Sequence, residues 1–285
     1  MRVAGAPISW GVCEVPGWGH QMAPSRVLAE MRELGLAATE LGPRGFLPAD
    51  PRERDALLAR DGLALAGAFV PALLHEPGHD PLPEVVRAMD ALPGGAVLVL
   101  AAATGRDGYD QRPEPDAAAW AALLDRLDAV ALLAADRGRL ATLHPHVGTV
   151  VERRAEVERV LDGSAIPLCL DTGHLMVGGT DPVALARSAA DRIGHVHLKD
   201  VDAALAQRVL TGDLGYTEAV AGGMYRPLGR GDVDIAEIVS TLEAAGYGGW
   251  YVMEQDTVLT AEPAPGAGPR DDVRRSLAFL AEATR

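Results

Sequence analysis

Histidine and carboxylate side chains gather in four short stretches of the second half of the chain. These are residues 143–146, 168–174, 195–200 and 252–256, and they contain five of the eight histidines, namely His144, His146, His174, His195 and His197. Imidazole and carboxylate groups without thiols are ligands that suit a divalent ion. An ion held in this way can polarise an oxygen of a substrate. We therefore expect one divalent metal ion, with Mn or Co as first choices and Mg, Zn or Fe as alternatives.

Each of these stretches completes a short apolar run, and such runs alternate with longer amphipathic stretches eight times along the chain. Short, nearly continuous apolar runs are typical of parallel strands covered on both faces. The predicted strands are 3–9, 38–42, 64–70, 96–101, 140–143, 167–171, 195–199 and 250–254, and the predicted helices are 24–34, 52–60, 81–91, 116–137, 152–161, 182–190, 235–245 and 271–283. This alternation favours an α/β fold of the closed (β/α)8 TIM barrel type.

The predicted barrel is a single domain that spans residues 1–285, a length that suits one barrel. An open Rossmann-like sheet is the structural alternative, but no GxGxxG loop follows the first predicted strand. Reacting groups in a barrel come from the C-terminal ends of the strands and the loops that follow them. The longest irregular segment, about 201–232, follows the seventh strand and carries Tyr216, Tyr225 and Arg226, so we expect this loop to cover the site.

The charge balance opposes several classes of partner. The formal net charge of −14 disfavours binding to nucleic acid or to an anionic membrane. No stretch approaches the roughly 20 apolar residues that a membrane span needs. The two cysteines, Cys13 and Cys169, lie far apart and fit reduced thiols of a cytosolic protein. We expect a cytoplasmic protein that acts on a small polyol or keto-sugar, with homo-oligomer formation left open.

Lys199 is the only lysine, beside 25 arginines. Because arginine and lysine differ wherever a compact point charge is needed, a lone lysine points to a site residue. Alternation along a strand places His195, His197 and Lys199 on one face, with His197 nearer the mouth and therefore the better ligand. Lys199 is expected beside the substrate, and the alternative is a surface salt bridge with Asp200.

Three further residues near predicted strand ends are candidates for substrate contact. Trp10 and Trp18 could present an apolar wall to the ring of a substrate, with packing inside the protein as the alternative, weighed evenly for Trp18. Glu40 ends the second predicted strand. Its carboxylate either binds a substrate hydroxyl or forms a salt bridge at the mouth.

Taken together, the strand ends resemble those of the xylose-isomerase-like family of sugar isomerases, epimerases and inosose dehydratases, along essentially the whole chain. The most specific matches are DTGH at 171–174, HLKD at 197–200, GRGDVD at 229–234 and the strand-eight Glu254. The opening PISWG at 7–11 and HPHVGT at 144–149 look most like the inosose dehydratase branch, which acts on 2-keto-myo-inositol.

The resemblance implies a metal set drawn from strands five to eight. The directly matched ligands are Asp171, His197 and Glu254. At strand five the family has a glutamate, whereas this chain offers His144 and His146. Epimerase-type members carry a second acid six residues beyond that glutamate, and Glu152 lies six residues beyond His146. The resemblance therefore implies His146 as the fourth ligand, with His144 in reserve.

The family's substrate-binding histidine, three residues after the aspartate ligand, corresponds to His174. The full set of predicted substrate-binding residues is Trp10, Glu40, His144, His174, Lys199 and Arg230.

These assignments predict a carbon–oxygen lyase, a metal-dependent dehydratase that acts on a cyclic polyhydroxy ketone similar to 2-keto-myo-inositol. The ion would stabilise an enediolate while Glu254 or Glu152 removes the α-proton. His174 or Lys199 would assist departure of the hydroxide, a contribution of about 100- to 10,000-fold. Imidazole in place of one of the epimerases' two glutamates suits a reaction that returns no proton to the opposite face.

Three alternatives stay open. An isomerase or epimerase would use the same metal and differ only in the fate of the enediolate. A metal-dependent endonuclease of the related AP-endonuclease fold is disfavoured by the acidity of the chain. A non-catalytic sugar-binding barrel would bind no metal.

Overall fold

The computed structural model describes residues 1–106, 108–109 and 111–283. Within these residues the strands are β1 Arg2–Gly5, β2 Ala38–Glu40, β3 Ala64–Ala72, β4 Val97–Ala102, β5 Leu140–Leu143, β6 Leu168–Asp171, β7 Ile193–Leu198, β8 Asp200–Val201, β9 Tyr225–Arg226 and β10 Trp250–Met253. The α-helices are α1 Pro24–Glu33, α2 Pro51–Arg60, α3 Leu82–Asp90, α4 Ala117–Asp136, α5 Arg154–Gly163, α6 Thr172–Val177, α7 Pro182–Ser188, α8 Ala203–Leu210, α9 Tyr216–Ala221, α10 Ile235–Ala244 and α11 Pro269–Ala283. Short 3₁₀ helices span Pro7–Trp10 and Ala190–Arg192.

Strands β1 to β7 and β10 close into a barrel. Every neighbouring pair around the barrel runs parallel, including β1 with β10. All eight predicted strands and all eight predicted helices are present, with shifted ends. The predicted (β/α)8 barrel is therefore confirmed, and the C-terminal ends of its strands meet at one mouth.

Local sequence explains where several helices begin and end. Asp181 and Asp234 accept hydrogen bonds from backbone N–H groups in the first turns of α7 and α10. Gly138 and Gly246 follow the last turns of α4 and α10 with φ of 62° and 84°, a conformation that favours glycine. These signals fix the lengths of the helices and so the places where the chain returns to the barrel.

The first strand is shorter than predicted. The apolar run suggested a strand over 3–9, but β1 ends at Gly5 and a 3₁₀ helix begins at Pro7. Proline has no N–H to donate to a neighbouring strand and has a fixed φ that suits the start of a helix. Consequently Trp10 lies on a helical turn and its side chain does not follow the alternation of a strand.

The segment 201–232 is more ordered than predicted. Instead of one irregular loop it contains helices α8 and α9 and the antiparallel pair of β8 with β9. Asp202 caps α8 by accepting from the N–H of Leu205. The segment 201–232 therefore contains regular secondary structure, and it holds Tyr216 and Tyr225 near the barrel mouth.

Apolar residues lie mainly in the wall between strands and helices. Strands β4 and β6 are buried along their whole length. Among the described residues, no helix combines the length and the apolar character needed to cross a membrane.

Candidate metal centre and substrate cavity

Asp171, at the end of β6, uses one carboxylate oxygen for a helix and turns the other toward the mouth. Its Oδ1 accepts hydrogen bonds from the N–H groups of Gly173 and His174, at 2.9 and 2.8 Å, and so caps α6. Its Oδ2 lies 3.5 Å from His197 Nδ1 and 3.4 Å from Lys199 Nζ. Because the cap fixes the carboxylate, Oδ2 is held in place as a candidate ligand atom.

Gly173 allows this arrangement because a side chain there has no room. A Cβ on Gly173 would lie 2.6 Å from the Cβ of Lys199 and 2.8 Å from the ring of Tyr225. The glycine of the DTGH motif thus lets α6 start directly beside the end of β7.

Three donor groups from three adjacent strands converge at this point. Asp171, His197 and Glu254 each offer one atom, and these atoms lie within 4.8 Å of one another. His197 Nδ1 is buried without a hydrogen-bond partner among the described residues and lies 3.3 Å from Glu254 Oε2. A buried polar atom without a partner is costly, and a cation bound there would satisfy it. The mixed nitrogen and oxygen donors fit a divalent metal ion.

At strand five the structure brings His144, and not the expected His146, to this centre. His144 Nε2 lies 3.2 Å from Asp171 Oδ2. His146 instead donates from Nδ1 to the carbonyl of Val147 at 2.6 Å, and its ring lies against His174 with 3.7 Å between centroids. Both histidines follow the last residue of β5, so strand alternation does not set their directions. We therefore replace His146 with His144 in the candidate ligand set.

The carboxylates of the centre are held in their ionised form. Burial raises the pKa of Asp171, but the Lys199 ammonium opposes burial and the pKa is held well below 3.8. Burial also raises the pKa of Glu254, but His197 and Lys199 together lower it to about 2. Ionised carboxylates are the form that binds a metal ion.

Lys199 is buried and paired with carboxylates instead of lying at the surface. Its Nζ is 3.0 Å from Glu254 Oε2 and 2.9 Å from Asp256 Oδ1, and it donates to His174 Nε2 at 3.0 Å. Burial lowers the pKa of Lys199, but Asp171, Asp256 and Glu254 raise it well above 10.5. Lys199 therefore lies at the candidate site, as expected. The ion pairs of Lys199 are with Asp171, Glu254 and Asp256, so the alternative of a surface salt bridge with Asp200 is wrong.

Asp200 points away from the mouth and fixes the GRGDVD segment. Its Oδ2 accepts from the N–H groups of Gly229, Arg230 and Gly231, and its Oδ1 accepts from Val233. The side chain of Arg230 is exposed and lines a separate surface pocket. The GRGDVD segment thus has a structural role. Arg230 was expected to bind substrate, but the structure does not bring it to the cavity.

A cavity of about 540 Å³ opens above the candidate centre. Its polar lining includes Glu40, Tyr109, His144, His146, His197, Lys199, Glu254 and Asp256, and its apolar lining includes Val12, Trp18, Leu41, Ala68, Phe69 and Val70. A cavity with a few convergent polar groups and an apolar wall is the usual form of a small-molecule site.

The structure separates the two tryptophans, which were both candidates for an apolar wall of the substrate site. Trp10 is fully buried and donates from Nε1 to Glu30 Oε2 at 2.8 Å, so its ring packs inside the protein. Trp18 lines the cavity and donates from Nε1 to the carbonyl of Thr257 at 3.0 Å. The expectation that Trp10 contacts the substrate is not supported, because the early end of β1 turns that residue away.

Glu152, one of two expected bases, lies off the cavity. Its Oε2 accepts from the N–H of Gly148 at 2.7 Å and lies 3.2 Å from Arg112 Nε. It is absent from the cavity lining in the described part of the chain. Burial, as the largest influence, raises its pKa although Arg112 opposes the rise. The geometry therefore favours Glu254 over Glu152 as the acid–base group.

His174 and Glu40 each contact a residue of the centre: His174 contacts Lys199, and Glu40 contacts His197. The ring of His174 packs against the ring of His146, and its Nε2 accepts a hydrogen bond from Lys199. Burial lowers the pKa of His174 well below 6.5. Glu40 Oε1 lies 2.9 Å from His195 Nε2 and 3.1 Å from His197 Nε2, so the salt-bridged alternative describes it. Burial raises the pKa of Glu40, but His197 and His195 outweigh burial and lower it below 4.5.

Sequence reasoning missed Asp256, Tyr109 and Phe69 as cavity residues. Asp256 lies two residues beyond Glu254, and its Oδ2 accepts from the hydroxyl of Tyr216 at 2.8 Å. The spacing of two from Glu254 was a signal for Asp256. No periodic pattern marked Tyr109 or Phe69, because one lies in a loop and the other in a continuous apolar strand.

The chain matches the family model described as xylose isomerase-like TIM barrel over residues 28–283. It therefore belongs to the xylose isomerase-like TIM-barrel family, as its motifs predicted.

Within this family, the chain is similar in sequence to proteins with named functions. The inosose dehydratase of Geobacillus kaustophilus (strain HTA426) is 32% identical over 273 residues, which cover 90% of this chain and 87% of the relative. The rhizopine catabolism protein MocC of Rhizobium meliloti is 34% identical over 270 residues, covering 90% of this chain and 82% of the relative. These similarities support an enzyme of this family with a small-molecule substrate.

A solved structure described as IolI protein with a binding zinc atom shares the fold. It superposes with a TM-score of 0.67 at 13% identity, covering 99% of this chain and 98% of that chain. At this identity the comparison shows the common barrel, and the donor set of this chain is what supports a divalent metal.

Proposed function

We propose that the chain is a metal-dependent dehydratase, a carbon–oxygen lyase that removes water from a cyclic polyhydroxy ketone similar to 2-keto-myo-inositol. The observation that carries the proposal is the convergence of Asp171, His197 and Glu254 beside Lys199. Of these residues, His197, Lys199 and Glu254 line the cavity. The similarity to inosose dehydratases over nine-tenths of the chain supports the substrate class.

The proposed ligands are His144, Asp171, His197 and Glu254. When bound there, a divalent ion would supply Lewis acidity toward a ketone oxygen. Two of the four ligand groups are carboxylates and two are imidazoles, a mixed set that matches Mn, Co, Zn or Fe as well as the harder Mg.

The proton steps are assigned to Glu254 and Lys199. Both line the cavity, whereas Glu152 does not. Glu254 takes the α-proton, and the C–O bond at the β-carbon breaks as the Lys199 ammonium donates a proton to the departing hydroxide. Because Glu254 Oε2 and Lys199 Nζ are 3.0 Å apart, the proton gained by Glu254 can return the amine to ammonium. The products are one water and an unsaturated hydroxyketone, which is the enol form of a 1,2-diketone, with no redox change.

Asp256 and His174 are proposed to hold Lys199 in place. Asp256 forms an ion pair with Lys199 and accepts a hydrogen bond from the hydroxyl of Tyr216, while His174 accepts from Lys199. These contacts fix the ammonium beside Glu254, and such positioning contributes to the rate by orientation.

The reaction itself distinguishes a dehydratase from an isomerase or epimerase. Purified protein is incubated with 2-keto-myo-inositol and Mn²⁺ or Co²⁺, and the ultraviolet absorbance of the conjugated enol form of the diketone product is followed. We expect absorbance to grow together with a product that is lighter by one water in mass spectrometry. Conversion to a product of unchanged mass would instead favour the isomerase or epimerase.

Metal analysis tests the ligand set. We expect about one divalent ion per chain in the wild-type protein and a loss of most of it in Asp171→Ala. His144→Ala should also lose metal, and the matched variant His146→Ala should keep it. Full metal content in Asp171→Ala would show that the ligand set is wrong, and metal-free wild-type protein would favour a non-catalytic sugar-binding barrel.

A further inference from the structure

The carboxylate of Glu40 lies inside the barrel between two histidines of β7. Glu40 is 4% exposed, and its Oε1 is 2.9 Å from His195 Nε2 and 3.1 Å from His197 Nε2. An ionised carboxylate only accepts hydrogen bonds, so both Nε2 atoms carry the proton. For His197 this leaves Nδ1 as the ring nitrogen that faces Asp171 and Glu254.

Two features of the strands aim the Glu40 carboxylate inward. On β2 the pairing with β3 shifts, because Thr39 pairs with Leu65 while Glu40 pairs with Gly67. Irregularities of this kind re-aim a side chain and occur often beside active sites. The shift places a buried carboxylate next to the two imidazoles.

Gly67 provides the space for that carboxylate. A Cβ at this position would lie 3.0 Å from Glu40 Oε1, 3.1 Å from the carbonyl oxygen of Val97 and 3.4 Å from His195 Nε2. Three strands, β2, β3 and β7, therefore combine to hold one oxygen atom against the two histidine nitrogens.

We propose that Glu40 is a positioning residue for the metal centre, which fixes the tautomer and ring orientation of His197 so that Nδ1 is the ligand atom. The inference rests on the proposed metal-dependent function. A carboxylate that accepts from the second ring nitrogen of a ligating histidine is a recurrent way of fixing that ligand. His195 completes the network by sharing the same oxygen and lies in the barrel interior, fully buried.

A role in binding a substrate hydroxyl is the competing explanation, since Glu40 also lines the cavity. The two roles differ in what a substitution changes. Loss of a hydroxyl contact raises KM and leaves the affinity for metal unchanged, whereas loss of the positioning contact weakens metal binding before any substrate is added.

The test is the affinity of the full chain for Zn²⁺, measured without substrate by competition with a chromogenic chelator. Glu40→Gln preserves the size of the side chain, and we expect about 10- to 100-fold weaker binding with unchanged stoichiometry. The matched control is Glu30→Gln, because Glu30 is a buried glutamate whose hydrogen-bond partners, Trp10 and Arg26, are outside the proposed ligand set. That control should bind Zn²⁺ with wild-type affinity.

Nitrogen NMR of the zinc-loaded wild-type protein gives an independent readout. With ¹⁵N-labelled histidine, we expect His197 to show a protonated Nε2 and a metal-bound Nδ1. A protonated Nδ1 with metal on Nε2 would overturn the inference.

Gly67→Ala tests the same geometry without altering either partner, and serves if Glu40→Gln does not fold. The added methyl group should displace the carboxylate and weaken Zn²⁺ binding in the same direction. If a folded Glu40→Gln or Gly67→Ala protein binds Zn²⁺ with wild-type affinity while Asp171→Ala loses its metal, the inference about Glu40 is overturned and the proposed function stands. Absence of Zn²⁺ binding by the wild-type protein would overturn the proposed function as well.

Discussion

The two halves of the barrel mouth present opposite chemistry to the same cavity. The half formed by β5, β6, β7 and β10 carries the ionisable groups His144, Asp171, His197, Lys199, Glu254 and Asp256. The half formed by β1 to β4 lines the cavity mainly with apolar side chains, including Val12, Leu41, Ala68, Phe69 and Val70. Charged side chains also occur on this half, namely Glu14, Glu40, Arg44, Arg54 and Glu84. Of these, Glu40 reaches across the barrel to His195 and His197.

Under the proposed function, this difference would let one barrel both orient and activate a ring-shaped polyol. Ligands and proton donors must converge on one point, so they lie on adjacent strands. The apolar half excludes water, which strengthens every charge interaction in the opposite half. A cyclic substrate would place its oxygens on the charged half and its C–H face on the apolar half.

The largest expected effect is on the charged half. Replacing Lys199 with Met removes the ammonium that lies 3.0 Å from Glu254, and we expect kcat to fall about 100- to 10,000-fold. Steady-state assays of diketone formation measure this fall. Metal content, determined in parallel, should stay near the wild-type value because Lys199 is not a proposed ligand. An unchanged kcat would remove Lys199 from the proposed reaction.

A smaller effect is expected on the apolar half. Phe69→Ala removes an aromatic wall of the cavity, and we expect KM to rise about 10-fold with little change in kcat, since the lost contact binds substrate and transition state alike. Phe46→Ala is the matched control, because Phe46 is buried nearby but does not line the cavity in the described residues. The comparison of the halves fails if Phe69→Ala lowers kcat and leaves KM intact.

The smallest expected effect concerns Cys13, a thiol on the apolar half. Burial, with help from Glu14, raises the pKa of Cys13 from 9.0 to about 12. The unfolded chain therefore releases this proton at lower pH than the folded chain does. The stability contribution is fully present below pH 9.0 and is lost as pH rises toward about 12.

Two measurements check the Cys13 prediction. Alkylation of the Cys13 peptide by iodoacetamide at pH 8.5 should be more than about 100-fold slower in native protein than in urea. Urea unfolding should show that wild-type protein loses more stability than Cys13→Ser as the pH rises above 9.0. Rapid alkylation of the native protein would indicate a polar, open environment on this half.

Local signals in the sequence were sufficient for the barrel. Apolar runs alternating with amphipathic stretches predicted all eight barrel strands, and caps such as Asp181 and Asp234 marked helix starts. The pairing of Asp171 with His197 across β6 and β7 was also accessible, because neighbouring parallel strands end at the same edge.

Directions of side chains beyond the regular strands were not accessible. His144 and His146 follow the end of β5, where the alternation of faces stops, so their choice depended on the loop that follows. The same reason applies to two further residues. Trp10 lies on a 3₁₀ helix, and the backbone N–H of Arg230 is bound by Asp200, so neither side chain lines the cavity.

The sequence by itself determined the eight-unit barrel, the approximate extents of its eight main helices and the set of strands that carry ionisable groups, because these depend on local periodicity and composition. Only the tertiary structure decided that His144 approaches Asp171, that Asp256 and Tyr216 meet beside Lys199, and that Glu40 crosses the barrel to His197. These contacts join residues distant in the chain, and their geometry depends on strand register and loop packing that no local pattern encodes.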